Sequence, residues 1–187
     1  MKKLIIIIVL LYCTTKVNAQ FGNNIHYDTC ALLQQHAGEW RYINGNDTIK
    51  FFFKLHRSKS VTLNFIMDGL WGFIEYKHGN NIVYSNYQNR FNTLPYIIDS
   101  FPLDQKNINI GTGICSPFSV NTLYGRLIYP MNGFQSYDVK ALINSAGTEM
   151  TWHQDFHFTY HNSVTIPDNP PTGLNKMPDD FVLIKQP

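Results

Sequence analysis

The sequence predicts a mostly β protein, a single antiparallel up-and-down meander of about nine strands preceded by a short helix. From Trp40 onward apolar and polar side chains alternate with the period of two that is typical of half-buried strands. Short turns rich in Asn, Asp and Gly separate the alternating runs, so neighbouring strands should pair antiparallel. A meander of this kind favours a closed barrel, with a β-sandwich as the alternative.

The helix is expected over residues 30–37, because Asp28 and Thr29 can cap its start and Gly38 can end it. Asp68-Gly69 is expected to turn the chain between two strands. Residues 87–102 mix polar, aromatic and proline residues, which favours a loop over one end of the sheet. Strands are expected at 40–43, 48–56, 61–67, 71–77, 82–85, 106–110, 120–129, 137–143, 150–160 and 181–185.

Residues 1–19 are expected to be a cleavable signal peptide. Lys2 and Lys3 precede an apolar run that is too short to span a bilayer, and Val17-Asn18-Ala19 suits a signal peptidase cutting before Gln20. Residues 20–187 then form a single β-rich domain that is secreted, periplasmic or in the cell envelope. No later apolar run reaches the length of a transmembrane helix.

The charge of the mature chain argues against nucleic acid as a partner. Loss of the leader takes the count of Lys and Arg from 15 to 12, while all 13 acidic residues stay. The mature protein is therefore slightly acidic, and its basic residues are scattered along the sequence. Phosphate binding needs clustered Lys and Arg.

Gly38-Glu39-Trp40, after a short helix and at the start of a strand, resembles the Gly-x-Trp signature of the lipocalins and related calycins. The resemblance implies a lipocalin-like barrel in which Gly38 and Trp40 are structural and a small apolar ligand lies in the cavity above the tryptophan. The chain departs from that pattern in two ways. It lacks a Thr-Asp-Tyr motif, and it has Lys185 in place of the arginine that usually stacks on the tryptophan.

Nearly the whole mature chain also resembles an uncharacterised family of short secreted bacterial proteins. The resemblance rests on Ala19-Gln20, Gly38-Glu39-Trp40, the hairpin at 44–48 and the closing segment 178–183. It implies a secreted or cell-envelope setting and carries over no active-site residues.

Aromatic residues make up 14% of the chain, enough to fill a β core or to line an apolar pocket. Ordinary core packing is the simpler interpretation. If a ligand pocket exists, the candidates for its lining are Trp71, Phe73, Tyr84 and Tyr124.

His153, Asp155 and His157 are candidate metal ligands because they lie on one side of a predicted strand. Such a site would need the strand to bend, and the alternative is the solvent face of an amphipathic strand. No cofactor is expected. No serine lies in a Gly-x-Ser-x-Gly turn and no pair of carboxylates can be identified, so an enzyme is the weakest hypothesis.

Two functional hypotheses follow from these features. In the first, the barrel binds a small apolar or amphipathic molecule in its interior. In the second, the barrel is filled and inert, and its outer surface binds another envelope protein through an exposed apolar patch around residues 91–101.

We expect the exported protein to begin at Gln20, which intact-mass measurement of the purified protein checks directly. Two cysteines remain after cleavage, Cys30 and Cys115, and an oxidising compartment favours a disulfide between them. Reduction should then raise the denatured mass by two hydrogens. An unchanged mass would indicate two free thiols, the alternative that the sequence leaves open.

Overall fold

The computed structural model describes residues 24–26, 28, 31–62, 64–97, 108–111, 121–129, 134–161, 164–166 and 177–187. Within these ranges lie a helix α1 (Leu32–His36) and a 3-10 turn (Tyr87–Phe91). No helix in these ranges is long and apolar enough to cross a bilayer. The strands are β1 (Asn24–His26), β2 (Gly38–Asn44), β3 (Asp47–Ser60), β4 (Phe65–His78), β5 (Asn81–Ser85), β6 (Ile108–Gly111), β7 (Thr122–Tyr129), β8 (Phe134–Ile143), β9 (Glu149–His161), β10 (Val164–Ile166) and β11 (Asp180–Lys185).

Eight strands form one curled antiparallel sheet, which confirms the predicted up-and-down meander. The order of neighbours is β4-β3-β2-β11-β9-β8-β7-β6. Strand β6 pairs in turn with β4, where Gly69 to Gly72 oppose Gly111 to Ile108. The pairings therefore return to the strand from which they started, as in a barrel. Strands β1, β5 and β10 pair outside this path, β1 being parallel to β4.

The expected turn at Asp68-Gly69 is wrong, because β4 runs straight through these two residues. The turn lies earlier, where the Asn64 N–H donates to the Val61 carbonyl at 3.3 Å and Asn64 has the positive φ of 48°. Asp68 instead accepts hydrogen bonds from the guanidinium of Arg57 on β3, at 2.7 and 3.0 Å. Pairings with distant strands on both sides of Gly69 override the local preference of Asp-Gly for a turn.

Strand β4 has a second edge that three other strands share. On this edge of β4, Asn86 lies between the stretch that pairs with β6 and the stretch that pairs with β5. It makes the two hydrogen bonds that a paired strand residue would make there. Its side-chain Oδ1 accepts from the Ile74 N–H at 2.8 Å, and its own N–H donates to the Ile74 carbonyl at 3.0 Å. Asn86 is buried, so these bonds satisfy backbone groups that water does not reach.

Aromatic side chains pack together inside the curled sheet. Strands β3 and β9 are not neighbours, yet the rings of Phe51 and Trp152 lie 4.7 Å apart, measured between their centres. Trp152 also stacks with Phe53 and Phe181, each at 6.1 Å. All four side chains are buried, and they pack with Trp40 in one hydrophobic cluster. This cluster joins opposite sides of the barrel.

Helix α1 lies at the end of the barrel where β2 begins. Its Leu33 is buried in the interior cluster, and the Leu33 N–H donates to the Asp28 carboxylate at 2.9 Å. The helix is shorter than predicted because Ala31 has a positive φ of 53°. The indole of Trp40 donates to the His36 carbonyl at 2.8 Å, which ties the helix to the start of β2.

Gly38 and Lys185 complete the packing around Trp40. Gly38 has a φ of +107°, which side-chain-bearing residues rarely adopt, and this conformation leads the chain from α1 into β2. Lys185 Nζ lies 5.2 Å from the centre of the Trp40 ring and donates to the Gln35 carbonyl at 2.9 Å. A lysine thus makes a cation–π contact at the tryptophan and also binds the last turn of α1.

Replacing Asn86 by Ala should lower the free energy of unfolding by about 1–3 kcal/mol, because the buried Ile74 N–H loses its acceptor. Urea denaturation of the two proteins measures this difference. Asn92→Ala is the matched control, since Asn92 is exposed and should change stability by less than about 0.5 kcal/mol. Equal effects at both positions would contradict the role assigned to Asn86.

Candidate functional site

Residues 87–97, here called the outer segment, cover the outward face of β3 and β4. Register places Phe73 opposite Phe52 and Trp71 opposite Lys54, on the side of the sheet that faces away from the barrel interior. Trp71 and Phe73 are buried there against Leu94 of the outer segment, with Phe52 packed beside them. A second, smaller hydrophobic core therefore lies outside the barrel.

Three hydrogen bonds fix the outer segment along β3. Lys54 Nζ donates to the Asn92 carbonyl at 3.0 Å, and His56 Nε2 lies 2.9 Å from the Pro95 carbonyl. The backbone N–H of Lys59 donates to the Tyr96 carbonyl at 2.7 Å. The expectation of a loop over one end of the sheet is therefore wrong for these residues, which run across its outer face.

The outer segment leaves three large apolar side chains in contact with water. Phe91 is 72% exposed, Tyr96 49% and Ile97 48%. The Phe91 ring makes an edge contact with Phe52 of β3, with ring centres 6.0 Å apart. This surface overlaps the patch predicted at residues 91–101, of which 98–101 lie outside the described residues.

Arg90 holds the start of the outer segment together. Its guanidinium lies 4.2 Å from the centre of the Tyr87 ring and 4.3 Å from that of Phe91, and Nη1 donates to the Tyr87 carbonyl at 2.9 Å. Tyr87 is itself buried, and burial together with the nearby Glu39 carboxylate raises the pKa of its hydroxyl. The Tyr87 hydroxyl therefore stays neutral at physiological pH.

A polar group of side chains lies at the opposite end of the barrel from α1, beside the β2–β3 hairpin. One carboxylate oxygen of Asp47 accepts from the Tyr76 hydroxyl at 2.9 Å and lies 3.0 Å from His78 Nδ1. Burial and the hydrogen bond to Asp47 raise the pKa of Tyr76, so its hydroxyl stays protonated. Tyr42 and Tyr84 are half-buried against the interior cluster.

The structure does not bring the four candidate pocket residues together. Trp71 and Phe73 belong to the core beneath the outer segment. Tyr84 lies on β5 opposite Tyr76. Tyr124 is exposed on β7, opposite Lys140 of β8. Tyr84 packs against the interior cluster, whereas Trp71 and Phe73 lie on the outer face, so the four side chains do not share one face of the sheet.

Two of the three candidate metal ligands meet, but in an ion-paired arrangement. His153 Nδ1 lies 2.6 Å from Asp180 Oδ1, and Nε2 lies 3.0 Å from Asp155 Oδ2. Each ring nitrogen therefore lies within hydrogen-bond distance of a carboxylate. The described residues contain no group of three ligands suited to a metal ion. His157 lies where the register between β8 and β9 shifts, and its side chain is outside the described part of the structure.

Cys30 and Cys115 lie outside the described residues, so their pairing remains a prediction. Sequence reasoning did not single out Arg90, Lys54 and Lys59, whose hydrogen bonds hold the outer segment in place. One signal was available in the sequence, since residues 87–97 contain an arginine and no carboxylate. That signal does not reveal which strand the segment covers.

The fold and this surface define a class of protein: an up-and-down β-barrel with an aromatic interior and an exposed apolar patch on an added outer layer. A family model described as a family of unknown function, DUF6705, matches residues 1–186. The chain belongs to this family. No curated protein and no solved structure matches it.

The His153 ion pairs predict a small dependence of stability on pH. Hydrogen bonds to Asp180 and then Asp155 raise the pKa of His153 above its ordinary value of 6.5. The stabilisation should be fully present below about pH 6.5 and should fade as pH rises through the raised pKa. Because the side chain is largely exposed, the effect should stay below about 1 kcal/mol.

Urea denaturation of the protein and of His153→Gln between pH 5 and pH 9 measures this contribution. The stability difference between the two proteins should be largest at low pH and should shrink toward pH 9. A difference that grows with pH would contradict the assigned direction of the shift.

Proposed function

We propose that this protein is a non-enzymatic binding protein of the cell envelope or the extracellular space, and that it works through the outer segment. The carrying observation is that buried aromatic rings pack against one another inside the barrel while apolar side chains are exposed on an added outer layer. This combination favours the hypothesis of a filled scaffold over that of a ligand held inside the barrel.

The interior packing argues against an internal ligand in the part of the barrel that the structure describes. A small molecule between β3 and β9 would have to separate the rings of Phe51 and Trp152, which are in contact across the barrel. Burying two such aromatic side chains stabilises a fold by several kcal/mol, of the order of 2–3 kcal/mol each. Ligand binding would have to offset that loss.

The exposed patch supports a docking function. Phe91, Tyr96 and Ile97 lie within seven residues of one another, and each leaves about half or more of its surface in water. Phe91 lies at Phe52 and Ile97 at Lys59, so these side chains form a row along β3. Rows of exposed apolar groups bounded by polar surface are typical of interaction surfaces. The hydrogen bonds to β3 hold the backbone that carries them, so the patch is presented by a rigid support.

The proposed location rests on the leader. Lys2, Lys3, the apolar run at 4–12 and the Val17-Asn18-Ala19 cleavage site are features of an exported chain. An apolar outer patch suits a protein that meets its partner outside the cytoplasm.

A second candidate function is the binding of a small amphipathic ligand at the hairpin end of the barrel. It is favoured by the Asp47 carboxylate, which accepts a hydrogen bond from the Tyr76 hydroxyl, lies 3.0 Å from His78 Nδ1 and is only partly buried. Native mass spectrometry after exposure to envelope extract tests it. A ligand mass that Asp47→Asn abolishes would support this candidate, and no added mass would remove it.

Phe91→Ala should reduce the fraction of purified mature protein that sediments with isolated cell envelopes by severalfold. The reason is that Phe91 is the most exposed aromatic group of the outer segment and has little structural contact to lose. Ile43→Ala is the matched control, because Ile43 is 61% exposed but lies on β2, away from the outer segment. Sedimentation is measured with both variants at matched concentration.

Equal sedimentation of the wild type and both variants would reject the outer segment as the docking surface. Thermal unfolding of each variant confirms that a loss of sedimentation is not a loss of folding.

A further inference from the structure

We propose that the hairpin end of the barrel binds a small amphipathic primary amine, whose ammonium group donates hydrogen bonds to the carboxylate of Asp47. The apolar body of the amine lies beside the tyrosines at that end of the interior cluster. This inference rests on the second candidate function, the ligand site at the hairpin end, and it names the class of ligand for that site. It does not depend on the outer segment.

The first observation is a row of side chains that crosses four neighbouring strands on the interior face of the sheet. Register places one residue from each of β2, β3, β4 and β5 side by side, namely Tyr42, Ile49, Tyr76 and Tyr84. Ile49 and Tyr76 are buried in the interior cluster, whereas Tyr42 and Tyr84 are half-buried and pack against it. Paired residues on neighbouring strands carry their side chains on one face, about 5 Å apart. The row therefore offers aromatic surface that solvent partly reaches.

The second observation is the Asp47 carboxylate, which lies one row nearer to the hairpin on the same face. Its Oδ1 accepts from the Tyr76 hydroxyl at 2.9 Å and lies 3.0 Å from His78 Nδ1, so both contacts use one oxygen. Among the described residues, none donates a hydrogen bond to the other oxygen, Oδ2, and the side chain is 28% exposed. A carboxylate with one oxygen held and the other unused is a suitable acceptor for the N–H groups of an ammonium ion.

The third observation is that carboxylates act on the phenols of the interior cluster. Burial, and then the Asp47 carboxylate, raise the pKa of the Tyr76 hydroxyl. Burial, and then the charge of Asp179, raise the pKa of the Tyr137 hydroxyl. Asp179 directly precedes β11, at the end of that strand remote from α1. An amphipathic anion would meet this negative charge, whereas an ammonium group is attracted by it.

The cations on the interior side of the described strands lie toward the other end of the barrel. Register places three of them on this side: Arg57, Lys59 and Lys185. Lys185 donates to a carbonyl in α1 at 2.9 Å. Arg57 is separated from Asp47 by roughly 33 Å of extended strand, and Lys59 lies farther along β3. His78 is thus the basic group that the described structure places at Asp47, and its contact is with Oδ1.

A primary amine fits this site better than a metal ion or a quaternary ammonium. The described residues contain no group of three ligands suited to a metal ion. An ammonium needs one carboxylate and is compatible with neighbouring tyrosine rings, whose faces attract cations. The rings of Tyr42 and Tyr84 also provide an apolar surface for the body of the ligand. A quaternary ammonium has no N–H group to donate to Oδ2.

The test is an NMR titration of the isotope-labelled mature protein with three probes of similar shape. Phenethylamine is cationic at neutral pH, phenethyl alcohol is neutral and phenylacetate is anionic. We expect phenethylamine to shift the backbone signals of the β2–β3 hairpin and the β4–β5 turn saturably. It should bind at least about tenfold more tightly than the other two, because a hydrogen bond to a charged group corresponds to a tenfold to hundredfold change in affinity.

Asp47→Asn should weaken phenethylamine binding about tenfold. The amide keeps the side-chain volume and the acceptor for Tyr76 but loses the negative charge. Asp155→Asn is the matched control, because it removes a carboxylate of β9 whose side chain is 76% exposed. This control should bind like the wild type. The comparison of the three probes uses the wild-type protein alone, so it tests the inference without relying on the folding of a variant.

Equal binding of phenethylamine and phenethyl alcohol would overturn the inference. Equal losses in the two variants, signal shifts confined to other parts of the barrel, or no binding of any probe would overturn it too. A neutral or anionic ligand captured from envelope extract would then leave the second candidate function standing without the amine. Sedimentation of Phe91→Ala with cell envelopes is measured separately, so the outer segment is judged independently of these results.

Discussion

Strand β4 has two edges, and the hydrogen bonds that satisfy both of them determine the rest of the structure. One edge pairs with β3 along its whole length. The other is divided among β1, β6 and β5, with Asn86 joining the last two. The pairing with β6 curls the sheet back on itself, which encloses the aromatic cluster. After β5 ends at Ser85, the chain leaves that edge of β4 and continues as the outer segment across the outer face of β3.

The fold class could be predicted because it depends on short-range patterns. Ile49, Phe51 and Phe53 alternate with polar or half-buried neighbours, and all three lie in the barrel interior. The hairpin at Asn44–Asp47 also lies where the sequence indicated it. Asp68-Gly69 misled the prediction, since an ion pair with a distant strand and two lateral pairings hold these residues extended. Such partners are invisible in a local window of sequence.

The candidate site was predicted only as a region. The composition of residues 87–102 indicated an irregular segment, and the exposed patch was placed near its middle. Whether Trp71 and Phe73 face the interior could not be decided, because a strand covered on both faces loses the polar alternation that separates inside from outside. The partner of Lys54 is visible only when the outer segment lies across β3, because its Nζ donates to the Asn92 carbonyl.

The position of β11 between β9 and β2 has a consequence for how the protein is made. Strand β2 is among the first strands of the chain, yet one of its edges stays open until Ile184 and Lys185 arrive. Lys185 also binds the helix that precedes β2. Contacts between such distant parts of a chain form slowly. A chain that is exported by the proposed route would therefore stay sufficiently unfolded to pass through a translocation pore until β11 had been synthesised. The barrel would then close after export.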